Sequence, residues 1–263
     1  MNDRVQITID NAVATVRLSR PDKLNALDRP MFEDLITAGE QILDDNSVRA
    51  VVLHGEGRGF CAGLDFLSFM GKADEMQFML SRGDSVANVA QRVAWIWQEV
   101  KAPVIAAVHG MAFGGGLQIA LGADLRYVTP DAELSVMEIK WGLIPDMSIT
   151  QTLLRLVPLD VAKELTFTGR KVSGTEAVEL GLATKVSDDP LAEALETAKL
   201  IATKSPHAIR AGKTLLNDAP TMSRLDALKL ETALQVGLLG TPNQMEAVQA
   251  NMMKRPPSFK DPD

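Results

Sequence analysis

Val104-Ile105-Ala106-Ala107-Val108-His109-Gly110-Met111-Ala112-Phe113-Gly114-Gly115-Gly116-Leu117-Gln118-Ile119-Ala120-Leu121 is the stretch on which the fold of this chain turns. Five consecutive apolar residues bounded by a turn read as a strand buried on both faces, and the triple glycine leads into a short apolar helix. Leu125 to Val128 is the next strand. The same order occurs upstream. Val48 to Leu53 is a compact apolar strand, followed by the irregular loop Gly55-Glu56-Gly57-Arg58-Gly59-Phe60-Cys61-Ala62-Gly63-Leu64-Asp65. Residues 66–100 then read as helical, weakly patterned and rich in methionine, the character of an adaptable segment. Strand, glycine turn and helix therefore recur, which predicts an α/β fold.

Further out, Val5, Ile7 and Ile9 alternate, Asp10-Asn11 reads as a turn, and Ala12, Ala14, Val16 and Leu18 alternate again. This is a hairpin with one buried face. Asp28 is placed to cap a helix whose stripe is Met31, Phe32, Leu35, Ile36, Ile42 and Leu43. Ser173-Gly174-Thr175-Glu176 reads as a capping box, and Leu182 to Val186 as a last strand. From Pro190 onward the periodic segments, 190–203, 206–217, 223–239 and 242–254, are all helical. The reading is an α/β body over residues 1–189 and a helical region over 190–263. Amphipathic helices without strands of their own must bury their apolar faces against the body or another subunit.

Composition narrows the function. The 263 residues carry 27 Lys+Arg against 34 Asp+Glu, a formal net charge of -7, which argues against nucleic acid and anionic membranes as partners. One cysteine excludes a disulfide framework and a thiolate-rich zinc site and suits a reducing compartment such as the cytoplasm. Three histidines, His54, His109 and His207, leave little for a metal site. The start of the chain lacks a signal-peptide pattern, and no apolar run reaches membrane-spanning length. Three Trp, one Tyr and eight Phe against 12 Met and 19 Gly favour close backbone approaches over an aromatic nucleic-acid platform.

Familiar chemistry is largely missing. Ile119 and Phe60 break the glycine spacing of a dinucleotide fingerprint, and no phosphate loop is present. Cys61 has no local base. Two glycine-rich turns and two acids remain. Near Gly63 and Gly115, backbone N–H groups lack intrachain partners, and glycine lets a ligand oxygen approach them. Two such donors on one point would make an oxyanion hole, although the same glycines also suit plain close packing. Glu138 and Asp146 lie in Val136-Met137-Glu138-Ile139-Lys140-Trp141-Gly142-Leu143-Ile144-Pro145-Asp146-Met147. A carboxylate desolvated among such neighbours has a raised pKa and suits proton transfer; a solvated or capping acid is the competing reading.

Several motifs together carry a family resemblance. Arg20-Pro21-Asp22-Lys23-Leu24-Asn25-Ala26-Leu27, Gly59 to Asp65, Pro103 to Gly110 leading to Gly114-Gly115-Gly116, Glu138 with Gly142 and Pro145, and the closing Arg255-Pro256-Pro257-Ser258-Phe259-Lys260 resemble the crotonase (enoyl-CoA hydratase/isomerase) superfamily end to end. The resemblance implies a spiral of ββα units with a C-terminal helical trimerisation region, assembled as a homotrimer or as a hexamer of two trimers. It implies an acyl-CoA thioester ligand, with coenzyme A as part of the substrate and no metal or redox cofactor. By the same resemblance, the backbone N–H groups of Leu64 and Gly115 form the oxyanion hole, and Ala62 lies beside the adenine. Phe259 and Lys260 reach coenzyme A held by a neighbouring subunit. Leu67 stands where a lysine is common in the family, and Lys23 is a candidate substitute for that cation.

The acids depart from the hydratase pattern. Family hydratases bracket a water with two glutamates, and here the first is Gln118, which can hold a water but cannot take its proton. Asp146 stands where dienoyl-CoA isomerases carry an aspartate. The resemblance therefore implies an isomerase that shifts double bonds in an unsaturated acyl-CoA, with Glu138 and Asp146 as the catalytic acids. The alternatives are a hydratase working through a water on Gln118, and a non-catalytic acyl-CoA-binding protein. Phe66, Phe69, Met70, Met76, Met79 and Trp95 or Trp97 are candidates for the acyl pocket.

Overall fold

The computed structural model describes residues 3–83 and 85–262. Its strands, in chain order, are β1 (Val5–Asp10), β2 (Val13–Leu18), β3 (Ala50–Gly55), β4 (Val104–Val108), β5 (Met111–Phe113), β6 (Leu125–Val128), β7 (Glu133–Ser135), β8 (Val172–Ser173) and β9 (Lys185–Val186). Its helices are α1 (Arg29–Asp44), α2 (Phe66–Phe69), α3 (Ala73–Leu80), α4 (Val89–Glu99), α5 (Gly115–Gly122), α6 (Ile149–Thr152), α7 (Leu159–Thr168), α8 (Gly174–Leu180), α9 (Pro190–Ala202), α10 (Pro206–Asp218), α11 (Arg224–Leu238) and α12 (Pro242–Met252).

A six-stranded sheet has the order β1-β2-β3-β4-β6-β9, antiparallel at its first pair and parallel after it. A second sheet of three strands has the order β5-β7-β8. Successive units feed both sheets: β4 and β6 go to the larger, and β5 and β7, which follow them, go to the smaller. This winds the chain as the expected spiral of ββα units. The initial hairpin turns on Asn11 and Ala12, both at positive φ (49° and 64°), one residue later than expected, so that Asp10 pairs with Val13. Left-handed backbone at both turn positions matches the twist of the flanking strands. β2 buries Ala14, Val16 and Leu18, whereas Ile9 on the edge strand is 49% exposed.

The strands of the larger sheet separate two cores. Val51 and Leu53 of β3, with Val104, Ala106 and Val108 of β4, face the main core, which α1, α4 and α5 also line. Val52, Ile105 and Ala107 face a smaller core closed by Ala194 and Ala198 of α9. Period-two alternation between two buried faces is why these strands read as unbroken apolar runs. α9, the helix that opens the 190–263 region, thus packs directly on the sheet. Lys213 of α10 is pinned to the body, its Nζ lying 2.8 Å from Asp124 Oδ2 and donating to the carbonyls of Trp97 (3.0 Å) and Ala102 (3.1 Å). Beyond it, α10 and α11 leave Leu216, Leu225, Leu228 and Val236 exposed. Among the described residues, no helix is long and apolar enough to cross a membrane.

The caps follow the sequence only in part. Asp28 accepts the Met31 N–H and starts α1. Ser173 accepts the Glu176 N–H, but Glu176 pairs with Arg170, so the expected capping box is half formed. α4 has the full box, between Asn88 and Gln91, and is a firmly packed core helix rather than a weakly patterned one.

Candidate active site

The glycine-rich loop after β3 is held from below by one amide. Asn25, fully buried at φ 54°, lies with its Nδ2 donating to the carbonyls of Glu56 (2.9 Å), Gly59 (3.0 Å) and Phe60 (3.1 Å), while its Oδ1 accepts the Arg20 N–H. The Arg20 guanidinium, itself buried, pairs with Asp65 at 2.9 Å and Asp28 at 3.4 Å, fixing the far end of the loop. The run Arg20 to Leu27 thus serves as the anchor of the loop.

The loop is laced to the start of α5. Cys61 donates its N–H to Met111 O, and Phe113 donates its N–H to Cys61 O, each at 3.0 Å. Gly116 is required there: a Cβ on it would lie 2.4 Å from Cys61 O. Gly63 is at φ +88°, and a Cβ on it would come within 2.6 Å of Phe113 O and 3.6 Å of Gly115 N. The lacing packs Gly63, which precedes Leu64, against the start of α5, and neither the Leu64 nor the Gly115 N–H has an acceptor among the described residues. Gly115 is the first residue of α5, so its N–H has no intrahelical acceptor. Cys61 itself is inert: burial pushes its thiol up to about 12, and its Sγ donates to Asn25 O.

Leu64 and Gly115 both line a cavity of about 700 Å³, together with Ala62, Glu138 and Asp146. Glu138 opens a 3-10 turn, Glu138–Trp141. The Cβ that Gly114 lacks would sit 3.1 Å from Glu138 Oε1, so the carboxylate stands against the glycine turn. Burial raises the Glu138 pKa, and the nearby Asp146 charge adds to the rise against the lowering effect of its hydrogen bonds. Its Oε2 is buried with no hydrogen-bond partner, an arrangement that penalises the ionised form. Partial burial raises the pKa of Asp146 as well. That residue is accessible as a whole.

Gln118 is placed differently from expectation. It is 1% exposed and lies behind Glu138, outside the cavity lining. Its Nε2 donates to Glu138 Oε1 at 2.6 Å, while its Oε1 accepts the Met147 N–H at 2.9 Å. The Met147 donor fixes which end of the amide faces Glu138. Gln118 thus bridges the Met147 backbone and the Glu138 carboxylate.

Of the other expected residues, Lys23 is exposed on the 3-10 turn Pro21–Lys23, away from the cavity wall. Phe259 and Lys260 are tied to Arg49 and Asn243 through their backbones, again apart from this protomer's cavity. Phe66, Phe69, Met70, Met76 and Met79 do line it; neither Trp95 nor Trp97 does, Trp97 being core. Sequence reasoning missed Trp141, whose ring lies 4.2 Å from that of Phe66, although its position three residues after Glu138 was a usable signal. It also missed Lys72, a cation in the cavity wall with no sequence signal of its own.

Residues 8–262 match the family model described as enoyl-CoA hydratase/isomerase. A probable enoyl-CoA hydratase of Bacillus subtilis is 34% identical, the match covering 97% of this chain and 98% of that protein. A mitochondrial Delta(3,5)-Delta(2,4)-dienoyl-CoA isomerase of Mus musculus is 32% identical over 96% of this chain and 80% of its own length. Among solved structures, an enoyl-CoA hydratase from Bacillus anthracis superposes with a TM-score of 0.91 at 30% identity, covering 98% of this chain and 99% of that one.

Proposed function

Because the chain belongs to the enoyl-CoA hydratase/isomerase family, we propose that it moves a carbon–carbon double bond along an unsaturated acyl-CoA by carboxylate-mediated proton transfer. The observation that carries this choice within the family is the Gln118 amide, committed at one end to Met147 and at the other to Glu138. Water addition through two carboxylates has no second carboxylate at that position. Proton removal and return have two, Glu138 and Asp146, on one cavity.

The thioester carbonyl accepts hydrogen bonds from the N–H groups of Leu64 and Gly115, the proposed oxyanion hole. Glu138 takes a proton from the chain. The electrons of the broken C–H bond pass through the conjugated system to the thioester oxygen, giving a dienolate. Asp146, or Glu138 itself, returns a proton at a carbon further along, and the electrons close into the shifted double bond. Each preorganised donor contributes roughly 3–4 kcal/mol to the enolate-like transition state. Ala62 borders the adenine side, Lys72 supplies the cation that position 67 lacks, and coenzyme A enters as part of the substrate. No metal or redox cofactor takes part in these steps.

The same reading makes the assembled form a homotrimer or a hexamer of two trimers, with Phe259 and Lys260 contacting coenzyme A bound by a neighbouring copy. The exposed leucines of α10 and α11 support such burial. The cytoplasm is the proposed location. A substrate panel tests the chemistry. Migration of the double bond in 3-enoyl- or 3,5-dienoyl-CoA is expected to outpace water addition to a 2-enoyl-CoA; the reverse order overturns the isomerase reading. Exchange of an acyl-CoA alpha proton with deuterated water is also expected, and its absence would leave only a binding protein.

A further inference from the structure

Ser148 stands in the left-handed region, at φ 63° and ψ 17°, although it is not a glycine, and it precedes α6 without capping it. A serine at the start of a helix ordinarily turns its hydroxyl onto the N–H groups of the first turn. Here the hydroxyl leaves its own helix and donates across to Gln91 O of α4 at 3.0 Å. Left-handed backbone is unfavourable for a residue with a Cβ and persists where surrounding contacts hold it. The strained residue lies two places after Asp146.

Asp146 has little else to hold it. Between Leu143, whose N–H donates to Glu138 O, and Ser148, whose carbonyl accepts the Gln151 N–H, residues 144–147 make no backbone–backbone hydrogen bond among the described residues. Ile144 is 76% exposed, and Asp146 is exposed as well. Fixed points begin at Met147. Its N–H donates to Gln118 Oε1, and its buried side chain stands against Gly115, where an added Cβ would meet Met147 Sδ at 2.6 Å. Ser148 supplies the next fixed point, and its partner Gln91 directly follows Ala90, which lines the cavity. From this arrangement we propose that Ser148 is a positioning residue, its hydroxyl fastening to α4 the turn that carries Asp146 at the cavity wall. The proposal rests on the reading of Glu138 and Asp146 as a proton-transfer pair and goes beyond it by giving the two acids separable supports. Gln118 serves both, through Glu138 Oε1 and the Met147 N–H, whereas Ser148 serves the Asp146 turn alone. Loss of the hydroxyl therefore displaces one acid without the other.

The test uses Ser148→Gly in the full-length protein, since glycine takes φ 63° freely and the change removes the hydroxyl without adding strain. Two rates are followed with a 3,5-dienoyl-CoA in deuterated water, exchange of the alpha proton and migration of the double bonds. Exchange and KM are expected to stay within about twofold of wild type, while migration falls by about tenfold to a hundredfold, the cost of misplacing a reacting group by about 1 Å. Asp146→Asn is expected to show the same split. Unchanged migration in Ser148→Gly, a parallel fall of both rates, or a split in Ser148→Gly that Asp146→Asn does not share overturns the proposal and leaves the double-bond chemistry standing. Absence of both exchange and migration in the wild type overturns the reading on which it rests.

Discussion

Glu138 and Asp146 illustrate how far one residue's surroundings decide its chemistry. Both are ordinary carboxylates with raised pKa values, burial being the first cause for each. Replacing Glu138 with Gln is expected to lower the isomerisation rate by about a hundredfold to ten-thousandfold, the usual cost of losing a positioned general base. The same variant should melt at or above the wild-type temperature at neutral pH. A raised carboxyl pKa means the native state binds the proton more tightly than the unfolded chain. Its contribution to stability is present at acid pH and is lost as pH rises through the shifted value. The gap between the two melting curves should therefore close toward acid pH, which scanning calorimetry at several pH values checks. Asp146→Asn removes a neighbouring negative charge, so the acidic limb of any residual activity should move to lower pH.

Gln118 shows the same dependence from the other side. Its amide is useful because the Met147 N–H orients it, and Gln118→Leu would strand that buried donor along with Glu138 Oε1. A loss of about 1–3 kcal/mol in denaturant titration is expected from the unpaired N–H alone.

At the scale of elements, the site is made where the glycine loop after β3 of the larger sheet is laced to β5 of the smaller sheet and the glycine turn that opens α5. That junction tolerates no Cβ at Gly116 and hangs on the Asn25 amide. Asn25→Ala leaves three loop carbonyls without their shared donor and should cost at least about 2 kcal/mol of stability. It should also lower turnover more than a surface change of equal stability, because the Leu64 N–H moves with the loop. Paired stability and rate measurements on Asn25→Ala and a destabilised surface variant distinguish the two effects.

For the whole molecule, the decisive feature is a helical region that is half attached. α9 closes the second core and Lys213 ties α10 to the body, while Leu225 and Leu228 of α11 are 62% and 54% exposed. A double Leu225→Glu/Leu228→Glu variant is expected to shift the mass measured by sedimentation equilibrium from an assembly to the monomer. An unchanged assembly mass would place the contacts of the proposed assembly elsewhere, and a monomeric wild type would overturn that assembly.

The sequence by itself determined the α/β class, the strands of the larger sheet and the helices α1, α5, α8 and α9 to α12, and it singled out two glycine turns and two acids; α6, α7 and the short strands of the second sheet went unread. These are local properties: apolar runs, glycine spacing and caps are written in consecutive residues. The helical period of 190–254 was equally legible, since each segment carries its own break. Only the tertiary structure decided what those groups do to one another. Gln118 became a clamp on Glu138 because Met147, 29 residues away, offers its N–H to the amide oxygen. Lys72, Trp141 and Ala90 became cavity wall because three separate segments converge, and no periodicity records convergence. Burial, which raises the pKa of a carboxylate, is a property of the packed molecule, and one strand of text cannot carry it.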